Sequence, residues 1–141
     1  MRPVHALLKI QDTPWSIKPT DSVFDALKTL AGHDVGALMV MDQGKLVGIL
    51  SERDYTRKIA LAGKASKDTL VRDIMTSKVL TVNAHSRTED CMALMSQKKI
   101  RHMPVVDGDK VLGMISIRDI MDEIIADQEA TISQLQTYIA T

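Results

Sequence analysis

Phe, Tyr and Trp are scarce: the 141-residue chain holds only Trp15, Phe24, Tyr55 and Tyr138. Proteins that follow single-stranded nucleic acid stack bases on such rings, and those that grip a phosphate backbone carry a basic excess. Here eighteen Lys and Arg stand against eighteen Asp and Glu, for no formal net charge. Both shortages argue against a nucleic-acid partner. A single cysteine, Cys91, excludes an internal disulfide framework and a zinc cluster of several thiolates. No apolar run approaches the 18 or more residues of a membrane span. The opening MRPVHALLKI is too short and too broken for a signal peptide. The expectation is a soluble, cytoplasmic protein with no membrane partner.

What is present is aliphatic. Hydrophobic residues make up 45% of the chain, and nine Met are available to fill irregular gaps. The length suits one compact domain with a real core.

Sliding the sequence by 65 residues pairs 15–60 with 80–125 without a gap, and nine of the 46 pairs are identical. They are Asp25/Asp90, Val40/Val105, Asp42/Asp107, Lys45/Lys110, Gly48/Gly113, Ser51/Ser116, Arg53/Arg118, Asp54/Asp119 and Ile59/Ile124. Unrelated stretches match at roughly three such positions. The chain is a duplication.

Each copy predicts the same layout. A short extended piece (15–17 or 80–82) precedes an amphipathic helix (21–32 or 86–97). An apolar run (35–41 or 100–106) reads as a buried strand. A turn and a second run (46–50 or 111–115) complete a hairpin, and another helix starts at Ser51 or Ser116. The expected fold is mixed α/β (α+β): two pseudo-symmetric β-α-β-β-α repeats packed sheet to sheet in one globule, since neither half buries enough surface alone. The boundaries drawn from the repeat are 1–62 for the first copy, 63–79 for the connection and start of the second, 80–125 for the second, and 126–141 for a helical extension. Val4, Leu7 and Leu8 match Val71, Ile74 and Met75 weakly, so the start of the chain should pack as that segment does. The last helix carries apolar residues three or four apart as far as 139, with no Lys or Arg among 119–141. It either packs on its own domain or forms a seam for self-association.

The chemistry lies in two heptapeptides, Gly48-Ile49-Leu50-Ser51-Glu52-Arg53-Asp54 and Gly113-Met114-Ile115-Ser116-Ile117-Arg118-Asp119. Each leaves a strand and enters a helix at the Ser. Ser at the N-cap with an acid three residues on is a capping box. The same place suits a ligand, because a helix N-terminus attracts phosphate oxygens and a carboxylate there can accept both hydroxyls of a ribose. The two roles are compatible. No nucleophile–base pair or metal-ligand spacing is visible, so neither catalytic residues nor a metal site is expected. His5, His33 and His85 read as surface residues, and Cys91 as a buried inert thiol. Trp15 reads equally as core filling or as a lid. Lys98-Lys99-Ile100-Arg101 reads as a solvated helix end or a phosphate rim, and Arg53 and Arg118 as phosphate ligands or surface pairs.

These heptapeptides, with Val35-Gly36-Ala37-Leu38, Ile100-Arg101-His102-Met103-Pro104-Val105-Val106-Asp107 and Val71-Arg72-Asp73-Ile74-Met75-Thr76, make residues 4–125 resemble a tandem pair of CBS (cystathionine β-synthase) domains, of the stand-alone single-pair kind. The resemblance implies a non-catalytic regulatory module that holds AMP, ADP, ATP or NAD between its repeats and signals to a partner protein. One implied site joins Ser116 and Asp119 to an adenine wall of Trp15, Ile17, Val35, Gly36 and Ala37. The other joins Ser51 and Asp54 to Leu80, Val82, Ile100, Arg101 and His102, with Arg101 and His102 at phosphate-touching positions. Arg53, Arg118 and Pro104 complete the implied set. Gly36-Ala37 stands where the second copy has Arg101-His102, and Met39 where it has Pro104, so the sites should be unequal. The resemblance further implies a homodimer joined by helices; a scaffold with no nucleotide role is the alternative.

Overall fold

The computed structural model describes residues 2–8 and 15–140. Positions 9 and 10 of the opening segment and Thr141, the last residue of the expected extension, lie outside them. The chain divides into two compact units, one drawn from Asp12–Leu80, the other from Met1–Gln11 with Thr81–Thr141.

The first unit runs β1 (Ser16–Ile17), α1 (Val23–His33), β2 (Ala37–Asp42), β3 (Lys45–Ser51) and α2 (Glu52–Tyr55), which widens into a π turn at Thr56–Ala60. A 3-10 turn (Ser66–Asp68) and α3 (Val71–Ile74) follow. The second unit holds a 3-10 turn (Val4–Leu7), β4 (Val82–Asn83), α4 (Thr88–Lys98), β5 (His102–Asp107), β6 (Lys110–Ser116) and the long α5 (Ile117–Ala140). Each unit has a three-stranded mixed sheet, with β1 parallel to β2 and antiparallel β2–β3, and with β4, β5 and β6 arranged likewise. This is the mixed α/β repeat that the sequence predicts.

The two copies form their elements for the same reasons. In α1, Val23, Ala26 and Leu30 are buried; in α4, 65 positions on, Thr88, Cys91 and Met95 are. This i, i+3, i+7 spacing puts one stripe on the sheet. Ser22 caps α1 by accepting from Asp25 N, and both helices stop at a left-handed residue, Asp34 or Lys99. Gln43 and Gly44 both take positive φ, as a two-residue hairpin turn requires. Both hairpins slip register at one matched point, Val40/Met41 and Val105/Val106.

Each compact unit takes its closing segment from outside its own 46-residue repeat. Residues 63–79, read as a connection that opens the second copy, close the first core: Val71 and Ile74 bury beside Leu38, Leu50 and Ile59. Residues 2–8, read as part of the first copy, close the second core, where Val4 buries with Met95, Met103 and Ile120. Backbone pairing fixes both attachments. Val71 N donates to Asp21 O at 2.9 Å and Thr76 N to Ile49 O at 2.8 Å, while Val4 N donates to Ser86 O and His5 N to Ala84 O, each at 3.0 Å. A three-stranded sheet with two helices leaves apolar surface open, and a buried Val supplies the missing cover. The matched roles of 4–8 and 71–75 are as the sequence suggests.

Candidate functional site

Each unit builds one polar junction where its last strand becomes a helix. In the first, Ser51 keeps an extended backbone and its Oγ accepts from Asp54 N at 3.2 Å. Asp54 Oδ2 accepts from Ser51 N (3.0 Å) and from Ser51 Oγ (3.1 Å). The second repeats this almost to the ångström: Asp119 Oδ2 accepts from Ser116 N and Ser116 Oγ, both at 2.9 Å, and Asp119 N donates to Ser116 Oγ at 3.2 Å. The capping box is real in both copies. It engages one carboxylate oxygen and leaves the other for different work.

The strand beside each junction arrives in fixed register. Ala37 pairs with Ser51, and Gly36 O accepts from Glu52 N at 3.0 Å; His102 pairs with Ser116, and Arg101 O accepts from Ile117 N at 2.8 Å. Each unit thus gathers its own set, residues 35–37 with Ser51 and Asp54, and residues 100–102 with Ser116 and Asp119. The resemblance grouped Arg101 and His102 with the other junction; within their own unit they neighbour Asp119. His102 is half-buried, and burial pushes its imidazole below the usual histidine value, helped by Arg101 and opposed by the Asp119 charge.

The remaining expected residues divide by environment. Ile17 and Val82 belong to the two cores, while Val35 and Ile100 pack against them. Ala37 and Pro104 are buried, Arg53, Arg101 and Arg118 are exposed, and Leu80 is exposed just before β4. Trp15 is neither core nor bare: its indole stacks on His33 with centroids 3.6 Å apart, and its carbonyl accepts from Met39 N. Cys91 is buried in the second core, where desolvation raises its thiol pKa.

Four residues outside the expected site set distinguish the junctions. In the first unit Lys58 Nζ lies 3.0 Å from Asp54 Oδ1, and Thr76 Oγ1 donates to the same oxygen at 3.3 Å. Lys58 Nζ also donates to Ile74 O at 2.8 Å. In the second unit the position 65 residues beyond Lys58 is Glu123. Its carboxylate is buried and held by Arg2, whose backbone N (3.1 Å), Nε (3.1 and 3.2 Å) and Nη2 (2.8 Å) all donate to it. These donors hold Glu123 below the usual carboxylate range. A cleft of about 220 Å³ lies beside this pair, lined by Arg2, Leu7, Asp119, Asp122 and Glu123 among others. The signal for the contrast was an Asp-x-x-x-Lys at 54–58 facing an Asp-x-x-x-Glu at 119–123. Among the described residues, no three His, Cys, Asp or Glu are placed to hold a metal ion, and no helix is long and apolar enough to cross a membrane.

The chain is similar to known proteins. The chain is 39% identical over 137 residues to the mitochondrial CBS domain-containing protein CBSX3 of Arabidopsis thaliana, a match spanning 93% of this chain and 66% of that longer protein. A protein with CBS domains from Burkholderia ambifaria is 43% identical, with a TM-score of 0.85 over 90% of this chain and 96% of its own. A CBS domain pair solved in complex with 5′-methylthioadenosine and S-adenosyl-L-methionine is 27% identical, with a TM-score of 0.79 over 89% of this chain and 98% of that one. The CBS domain model matches twice, at residues 8–61 and 71–126, so that each match ends beyond its Ser–Asp junction. With the duplicated sheet and both junctions in place, the chain belongs to the CBS domain family as a tandem pair.

Proposed function

We propose that this protein is a non-catalytic regulatory module that binds an adenosine nucleotide, of the class AMP, ADP, ATP or NAD, and conveys its presence to a partner protein. CBS pairs are regulatory modules, and one similar pair is described with two adenosine compounds. The observation that carries the reading is the duplicated capping box, which fixes a carboxylate at a strand end with one oxygen tied to Ser and the other outside the cap. Such an edge suits the two hydroxyls of a ribose. On this reading Asp119 takes the ribose, and Ser116 with the first turn of α5 faces phosphate oxygens. The exposed Arg101 guanidinium supplies a fork for phosphate. His102 stays neutral near pH 7 and offers hydrogen bonds rather than charge. Beside each junction the backbone of 35–37 or of 100–102 supplies a surface for adenine.

A ligand bound only by the folded state stabilises it by RT ln(1 + [L]/Kd), about 2.7 kcal/mol at a hundredfold excess over Kd. AMP, ADP, ATP, NAD and S-adenosylmethionine are therefore screened for a raised melting temperature. No shift with any of them at millimolar concentration rejects the nucleotide reading and leaves the scaffold role.

Self-association belongs to the same proposal and rests on a separate observation. Along α5, Met121, Ile125, Gln128, Ile132, Leu135 and Ile139 alternate four and three apart, the period of a coiled-coil seam. Ile132 and Leu135 stay more than half exposed, and Ile139 is 81% exposed. A second copy in parallel alignment sets Gln128 against Gln128, with Ile at alternate layers, and completes a two-stranded seam. We place the dimer in the cytoplasm.

A further inference from the structure

The two junctions are alike in their Ser–Asp pairing and opposite in what meets the second carboxylate oxygen. We infer that Lys58 closes the first junction to ribose, so that only the Asp119 junction takes nucleotide; this rests on the adenosine reading above.

A ribose donates two hydroxyls and needs carboxylate oxygens free to accept them. Asp54 has none to give. Oδ2 holds Ser51, and Oδ1 holds the Lys58 ammonium and the Thr76 hydroxyl. The Asp54 side chain is only 12% exposed, which strengthens its pair with Lys58 over an open surface pair. Lys58 is held twice, since its ammonium also donates to the Ile74 carbonyl at the end of α3. A nucleotide entering here must break a charge-assisted bond before it makes one.

At the second junction the charge at the matching position is reversed. Glu123 cannot pair with Asp119, and Arg2 draws it aside with bonds to both of its oxygens. Among the described residues no hydrogen bond or ion pair reaches Asp119 Oδ1, and Asp119 borders the 220 Å³ cleft. Arg101 and His102 stand beside it, where the first copy has Gly36 and Ala37. A free acceptor edge and adjacent phosphate donors therefore coincide at Asp119, whereas the first copy has a carboxylate already occupied and no Arg or His at its neighbouring strand positions.

The test is calorimetric titration of the full chain with AMP, ATP and NAD, with the fold of each variant checked by circular dichroism. Wild type should bind one nucleotide per chain. Asp119→Asn, which keeps an oxygen for the Ser116 cap, should weaken binding at least about tenfold, the value of one charge-assisted hydrogen bond. Lys58→Met should raise the stoichiometry to two, Lys58→Arg should keep it at one, and Lys58→Met with Asp119→Asn should return it to one. Two nucleotides bound by wild type, one bound by Lys58→Met, or undiminished affinity in Asp119→Asn would overturn the inference while the nucleotide reading stands. Absence of binding by both wild type and Lys58→Met removes the nucleotide reading itself, and this inference with it.

Discussion

Replacing Gly48 by Ala should destabilise the protein markedly, while the same change at Gly113, its exact repeat, should be nearly silent. Neither glycine has positive φ, so close approach decides. A methyl group on Gly48 would lie 2.6 Å from Met75 Sδ, 3.0 Å from Met75 Cγ and 3.1 Å from the Thr76 carbonyl oxygen. The thioether can swing aside, but Thr76 is pinned to β3 by its two backbone bonds with Ile49, at 3.0 and 2.8 Å. Relief by releasing that pair forfeits two hydrogen bonds, about 1–3 kcal/mol together; retaining it leaves overpacking strain of about 1–3 kcal/mol. Both routes give the same size of loss. At Gly113 the methyl meets only Leu8 Cδ2 at 3.2 Å, with Cδ1 and Cγ at 3.9 and 4.0 Å. A flexible side chain yields there, and the smaller unfolded-state entropy of Ala offsets what remains, by about 0.4–1 kcal/mol. For a chain of this size 1 kcal/mol moves Tm by roughly 4 °C. Calorimetry should thus show a drop of about 4–12 °C for Gly48→Ala and a change within about 3 °C for Gly113→Ala. Adding Met75→Ala should recover only part of the first loss. Equal drops in the two variants would refute the claim that the Thr76 carbonyl sets the limit.

Two further outcomes test the ends of the chain. Arg2 lowers the Glu123 pKa on folding, so their pairing stabilises the protein above the unfolded carboxylate value of 4.5 and ceases to do so as pH falls through the lower folded value. Arg2→Met should therefore lower Tm at pH 7, with the gap from wild type closing on acidification below 4.5; a gap that widens there contradicts the sign. On α5, Ile132→Glu with Leu135→Glu changes residues already more than half exposed, so circular dichroism should show the fold kept while sedimentation shifts from dimer to monomer. A wild-type monomer at tens of micromolar, or a variant that still dimerises, removes the seam.

The repeat made most of the local structure legible. Matching Ser51 with Ser116 and Gly48 with Gly113 carries with it the hairpin register, because a hairpin closed by a short turn has little freedom to slide. The same pairing located both capping boxes to the residue. It could not say which sheet Val4 or Val71 covers. Both lie in short apolar segments with similar patterning, and the choice depends on contacts far apart in the chain, such as Val4 with Ser86 and His5 with Ala84. Trp15 stayed open for a related reason, since its stacking partner His33 sits at the far end of α1, where no periodicity ties the two together.

The difference between the junctions was written in the sequence but hidden by the way duplications are read. Aligning two copies rewards agreement, and Asp54/Asp119 stands out because it is conserved between the halves. Function in a duplicated chain depends as much on positions where the halves part. Lys58 and Glu123 lie one turn beyond those aspartates, immediately before the identical pair Ile59/Ile124. An acid followed four residues later by a base is a favourable helix pair that draws the carboxylate inward. An acid followed by an acid repels and leaves it outward unless a cation intervenes, and Arg2 intervenes on Glu123. One reversed charge thus turns the same capping box into a closed structural joint in one copy and an open acceptor in the other. The fold needs both joints to start their helices, whereas a ligand needs only the open one.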